Sequence, residues 1–177
     1  MPTRTVTELE GLLEQLETQA APLSPEALES VAEALAGLAG VRADEVAILE
    51  LRSGSKVLTF VLPEKLRAVG NIPLSSANSL AARTARERRS VIVNNFAQSR
   101  HSSVFEGVPL GRPQGVCIQK LISAPIVRAE EVVGVVQISR KGESSLDCGA
   151  DFKRSDLKIL QGLNDLLVRF LVLAQMA

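Results

Sequence analysis

A chain of 177 residues, 46% hydrophobic and 23% charged, is sized for one domain with a substantial core and has the composition of a soluble globular protein. Twenty basic residues balance twenty acidic ones, which removes the electrostatic reason to expect nucleic acid or an anionic membrane as a partner. Five Phe with neither Tyr nor Trp argue against a stacking platform for bases or flat heterocycles.

Taken in order, Val6, Leu9, Leu13, Leu16 and Ala20 alternate steps of three and four, which predicts a helix with one apolar seam. Ala21-Pro22-Leu23 breaks it. Ser24 as N-cap and Pro25 at the first helical position restart a second helix, with Leu28, Val31, Leu35 and Leu38 as its buried stripe and Gly40 as C-cap. Two strand-like runs follow, Glu45 to Leu51 and Lys56 to Leu62, joined across Ser53-Gly54-Ser55 as a hairpin. Pro63 to Pro73 reads as a connection. Ser75 or Ser76 then caps a helix running to about Arg88, and Val91 to Val93 is a short strand ended by Asn94-Asn95.

From Phe96 to Gly115 no periodicity holds, and a loop of that length in a compact domain is expected to be a lid, a binding loop or disordered. Leu121 to Val127 and Val132 to Ile138 form a second hairpin across the charged turn Arg128 to Glu131. Its second strand is apolar on both alternating sets, so it belongs at the centre of a sheet covered on both faces. Gly142 to Asp151 is irregular. A single long helix from about Lys153 to Met176 ends the chain, with Leu160, Leu163, Leu167, Phe170 and Ala174 as its main seam. That surface is too broad for one sheet face, so it requires the first helix as a cover, in cis or across a dimer.

Cys117 and Cys148 form no metal-type pair, and with one histidine in the chain a zinc site is not expected. The N-terminus is acidic where a signal peptide would be basic and then apolar, and no apolar run spans a bilayer. The expected compartment is the cytoplasm, with reduced thiols.

The order helix, helix, strand, strand, helix, short strand, loop, hairpin, long helix lacks the strand–helix alternation of a parallel sheet. It resembles the GAF domain family over roughly Ser24 to Ala174. The resemblance rests on the helix and short strand LAARTARERRSVIVNN from Leu80 to Asn95, and on the proline-containing strand LISAPI from Leu121 to Ile126. It rests also on VVGVVQI from Val132 to Ile138, and on Phe152, Asp156, Leu157 and Leu160 opening the last helix. The family implies an α+β fold: a six-stranded antiparallel sheet, terminal helices on one face that pair into a homodimer, and a loop-covered pocket for a small molecule on the other. Residues 1–22 are then a dimerisation helix and 23–177 the GAF-like domain. Pocket candidates are Asn94, Arg100, His101, Ser103, Phe105, Cys117 and Gln119. Dimer candidates are Leu9, Leu13, Leu16, Leu160, Leu163, Leu167 and Phe170.

Branches of the family can be tested on residues. Bilin attachment calls for a cysteine followed by histidine, whereas Cys117 precedes Ile118 and Arg100 precedes His101. The cyclic-nucleotide pattern of Asn-Lys, Phe and Asp-Glu meets Arg140, Lys141, Phe152, Asp156 and Leu157 here, so only Lys, Phe and Asp agree. Gly115-Val116-Cys117 resembles a stretch of the free methionine sulfoxide reductases, but there it precedes the helix matched by Ser76 to Arg88. The basic run Arg83, Arg86, Arg88, Arg89 suits an exposed helix end. His101, the sole histidine, has no evident base or orienter, so no nucleophilic set can be assembled. The expectation is a non-catalytic sensory or regulatory module without a cofactor, acting through a separate signalling partner.

Overall fold

Six strands build one antiparallel sheet: β1 (Val46–Glu50), β2 (Val57–Leu62), β3 (Asn71–Pro73), β4 (Val91–Val93), β5 (Cys117–Arg128) and β6 (Glu131–Gly142), in spatial order β3-β2-β1-β6-β5-β4. These come from a computed structural model that describes residues 5–98 and 116–176. As the two-sided apolar pattern predicts, β6 lies in the interior, between β1 and β5, and is buried continuously from Gly134 to Ser139. Both strands of the second hairpin run beyond the predicted apolar cores, because polar residues at their far end pair across the ladder as well. Pro125 sits in β5 opposite Val135, next to a bulge at Ile126/Val127. The neighbouring β4 reaches only as far as Ser123, so no ladder bond is lost at the proline. The stretch read as a connection, Pro63 to Pro73, ends in β3, an edge strand of three residues too short to carry a period.

The helices are α1 (Val6–Gln19), α2 (Pro25–Ala39), α3 (Leu80–Glu87), α4 (Arg154–Gly162) and α5 (Asn164–Gln175). Ser24 caps α2 by accepting from Ala27 N, and Gly40 closes it with φ 67°. Helix α3 starts later than predicted. Ser79, not Ser75 or Ser76, accepts from Ala82 N at 3.2 Å, and Ser79 is buried where the other two are not. The expected single terminal helix is two helices broken at Leu163, whose ψ of 0° leaves the helical range. Asn164, the first residue after the break, holds the backbone of Val127 from both sides, donating to its O at 2.8 Å and accepting from its N at 2.9 Å.

Helices α1, α2, α4 and α5 cover one face of the sheet in a single hydrophobic cluster with Val46, Ile48, Ile122, Ile126, Val136 and Ile138. Every residue named for a dimer seam lies in that cluster: Leu9, Leu13, Leu16, Leu160, Leu163, Leu167 and Phe170 are each at most 7% exposed within one chain. The cover that the seams require is thus supplied in cis, and α1 shares its core with residues 23–177. A bidentate ion pair from Arg169 to Glu17, at 2.9 and 2.8 Å, ties α5 to α1 over this cluster. The opposite face carries α3, whose Ala81, Ala82 and Ala85 pack on Leu49, Leu58, Phe60, Ile72 and Val135.

Candidate functional site

Beside α3 the same sheet face turns polar. In a strand, residues two apart share a face, so Gln137, Ser139 and Lys141 of β6 form a row. All three are buried. Register places Ser123 opposite Gln137, Leu121 opposite Ser139 and Ile118 opposite Lys141. Small residues flank Gln137, Ala47 on one side and Ser123 on the other.

Buried polar groups must find partners, and these do. Gln137 Nε2 donates to Ser123 Oγ at 3.1 Å, and that hydroxyl shares a 2.7 Å bond with Thr84 Oγ1 of α3. Ser139 Oγ donates to Glu45 O at 3.3 Å. Lys141 is held twice: its backbone N–H donates to Glu45 Oε1 and its ammonium to Asp44 O, each at 2.8 Å. Glu45 is itself anchored by Arg42 at 2.9 Å. An apolar wall of Leu80, Phe96 and Leu121, with Val91, Val93 and Ile118 against it, closes one side. Phe96 and Cys117 bracket residues 99–115, and both lie at this end of the sheet, Phe96 on Leu121 and Cys117 opposite Gly142.

The sequence-predicted site residues divide sharply. Arg100, His101, Ser103 and Phe105 lie outside the described residues. Gln119 is buried at the strand bulge, where its carboxamide donates to Gly142 O at 3.0 Å and to Cys117 Sγ at 3.3 Å. Cys117 is an exposed free thiol at the start of β5. Asn94 does not present its amide to the site: it accepts from Phe152 N at 2.9 Å and donates to Phe152 O at 3.1 Å, a clamp on the chain entering α4. The residues compared with the cyclic-nucleotide pattern do not converge on one site. Lys141 is on the α3 face of the sheet, whereas Arg140 stacks on the Phe152 ring at 4.7 Å on the helical face. Asp156 caps the following helix, accepting from Lys153 N at 2.7 Å.

The polar row itself is what sequence reasoning missed. Its signal was present: three polar residues at alternate positions in the strand whose first half is apolar on both sides. Their partners Thr84, Ser123 and Glu45 are distant in sequence and carry no local mark. The ensemble gathers hydroxyl, carboxamide and ammonium groups in one row. No nucleophile paired with a base occurs in it, and no cluster of three potential metal ligands exists among the described residues. Nor, among them, is any helix long and apolar enough to cross a membrane.

A six-stranded antiparallel sheet with four helices on one face and α3 on the other defines an α+β domain of the GAF type. The chain belongs to the GAF domain family, whose model matches residues 24–171. In fold it is similar to residues 122 to 287 of a methyl-accepting chemotaxis protein, with TM-score 0.64 and 15% identity over 93% of this chain and 98% of that one. It is similar also to the GAF domain of a phosphoenolpyruvate-protein phosphotransferase from Coxiella burnetii, with TM-score 0.60 and 13% identity over 92% of each chain. A third similar structure is free methionine-R-sulfoxide reductase from Neisseria meningitidis, with TM-score 0.56 and 17% identity over 96% of this chain and 92% of that one. No curated protein matches the chain in sequence.

Proposed function

We propose that the protein is a non-catalytic regulatory module that binds a polar small molecule over Gln137, Ser139 and Lys141 and signals through a separate partner. The observation that carries the reading is that row of buried polar side chains in a central strand, walled by Leu80, Phe96 and Leu121. A core strand facing only packing would be apolar there, since burying polar groups stabilises little even when they are bonded. Sensory and regulatory proteins among the similar structures, a chemotaxis protein and a phosphotransferase, agree with it. A thermal-shift screen of nucleotides, amino acids and keto acids tests it, because a ligand at a hundred times its Kd stabilises the folded state by about 2.7 kcal/mol. The expected hit loses its shift in Gln137→Leu and in Ser139→Ala. A ligand whose shift survives both substitutions binds elsewhere and overturns this placement.

Homodimerisation belongs to the proposal in an amended form. Apolar side chains left outside the helical layer, Ile159 at 42% and Val172 at 43% exposed, are what a second copy would cover. Val172→Glu should then shift the sedimentation coefficient to that of one chain, and an unchanged value would remove the dimer.

A reductase is the second reading, favoured by the exposed thiol of Cys117 beside the site and by the likeness to the Neisseria enzyme. Against it, the Cys148 thiol is engaged by Ser145 O at 3.4 Å. NADPH-coupled turnover of free methionine sulfoxide that disappears in Cys117→Ser would establish it; no turnover is expected.

A further inference from the structure

At the far end of the sheet from Lys141, a cleft of about 510 Å3 opens between the β1–β2 turn, the end of α3 and the β5–β6 turn. Four arginines line it: Arg52, Arg86, Arg88 and Arg128. Two are fixed in place. The Arg86 guanidinium donates to Leu74 O and to Ser76 O, and Arg52 pairs with the buried Glu50 at 3.2 Å. The other two, Arg88 at the left-handed end of α3 with φ 52° and Arg128 at the hairpin turn, are exposed, and their guanidinium groups have no hydrogen-bond or ion-pair partner among the described residues. Among the described residues Glu131 is the one carboxylate in the lining, so with Glu50 beneath Arg52 four guanidinium groups face two carboxylates, an excess of two positive charges.

We infer that this cleft is a second binding site, separate from the row on β6, for the oligophosphate group of a small molecule. Guanidinium groups match phosphate oxygens with paired, charge-assisted hydrogen bonds, and they hold their charge at every physiological pH. Arginines converging from separate segments on one concavity suit a compact multivalent anion, where an extended acidic peptide would need a stripe. The volume falls in the range of small-molecule sites, about 300 to 1,000 Å3. No aromatic side chain among the described residues lines the cleft, so the site reads phosphate and ignores any base attached to it.

The test is calorimetric titration of the full chain with inorganic tripolyphosphate, with orthophosphate, sulfate, ATP and a polyglutamate peptide as comparisons. Tripolyphosphate should bind more tightly than orthophosphate or sulfate, and ATP should match it. Losing charge-assisted bonds from two arginines should weaken tripolyphosphate about tenfold or more in Arg88→Gln/Arg128→Gln. The distant exposed Arg67→Gln is the control for net charge, and together with Gln137→Leu it should leave the affinity unchanged. Equal affinity in the double variant, equal loss in Arg67→Gln, no preference over sulfate, or tighter binding of polyglutamate would each overturn the assignment.

Discussion

Gly134 sits where the β6 backbone passes directly beneath α5. A Cβ at this position would lie 2.5 Å from Leu49 O and 2.7 Å from Leu171 Cδ1, distances that real side-chain carbons do not reach. One of the two obstacles is backbone, which cannot turn aside. Gly134→Ala should therefore destabilise by about 3 kcal/mol, at the upper end for an overpacked core, measurable by urea unfolding. Asn164 illustrates a different residue-scale role, a side chain standing in for a strand by pairing with both polar groups of Val127. Asn164→Ala leaves those groups without their partner and should cost about 1 to 3 kcal/mol by the same measurement. Sequence alone read Asn94 as the end of a strand and a ligand contact, and Asn164 drew no notice. Both are clamps onto segments far along the chain, and a carboxamide's preference for such a role leaves no periodic or neighbouring trace.

At the scale of elements, local chemistry was legible where the cause is local. The α2 boundaries follow from Ser24, Pro25 and Gly40, and the β5–β6 hairpin from two apolar runs around a charged turn. The turn itself is unusual. Its central residues Ala129 and Glu130 both adopt positive φ, 48° and 66°, where Asn and Gly are favoured. A left-handed conformation costs an ordinary residue roughly 1 to 2 kcal/mol, so Ala129→Asn with Glu130→Gly should stabilise the protein by about that much in thermal denaturation. Elements set by tertiary contact were not legible. Three serines compete to begin α3, and only burial of Ser79 decides among them. The break between α4 and α5 falls within a seam whose apolar spacing continues across it, so the period gives no sign of it, and Asn164 docks on Val127 there. Between α1 and α5, the hydrogen bonds and charge of Arg169 hold the Glu17 carboxyl below its usual value of 4.5. A lowered folded-state value means the tie contributes above that value and fades as pH falls through the folded one. The difference in melting temperature between the protein and Glu17→Gln should be present at neutral pH and vanish well below 4.5.

For the molecule as a whole, the broad apolar faces of the two terminal segments were evident from spacing, and their need for a cover was a sound inference. What spacing could not distinguish is a cover from the same chain and one from a second copy, since both satisfy the same surface. The structure places α1 and α5 together over one sheet face, with Leu13 fully buried. Leu13→Ala should thus lower the unfolding free energy by about 2 to 5 kcal/mol at a protein concentration where no association occurs. A loss that grows with dilution would instead mark a contribution from a second chain. The site divides along the same line. Its polar row could be read in β6, but that it faces α3 and the wall around Phe96 depends on which strands become neighbours.

The bareness of Gly134 has one more consequence. With no side chain between them, Leu171 rests on the peptide plane of the strand that presents Gln137 to the opposite layer three residues later. The two layers are parted by a wall a single main chain thick.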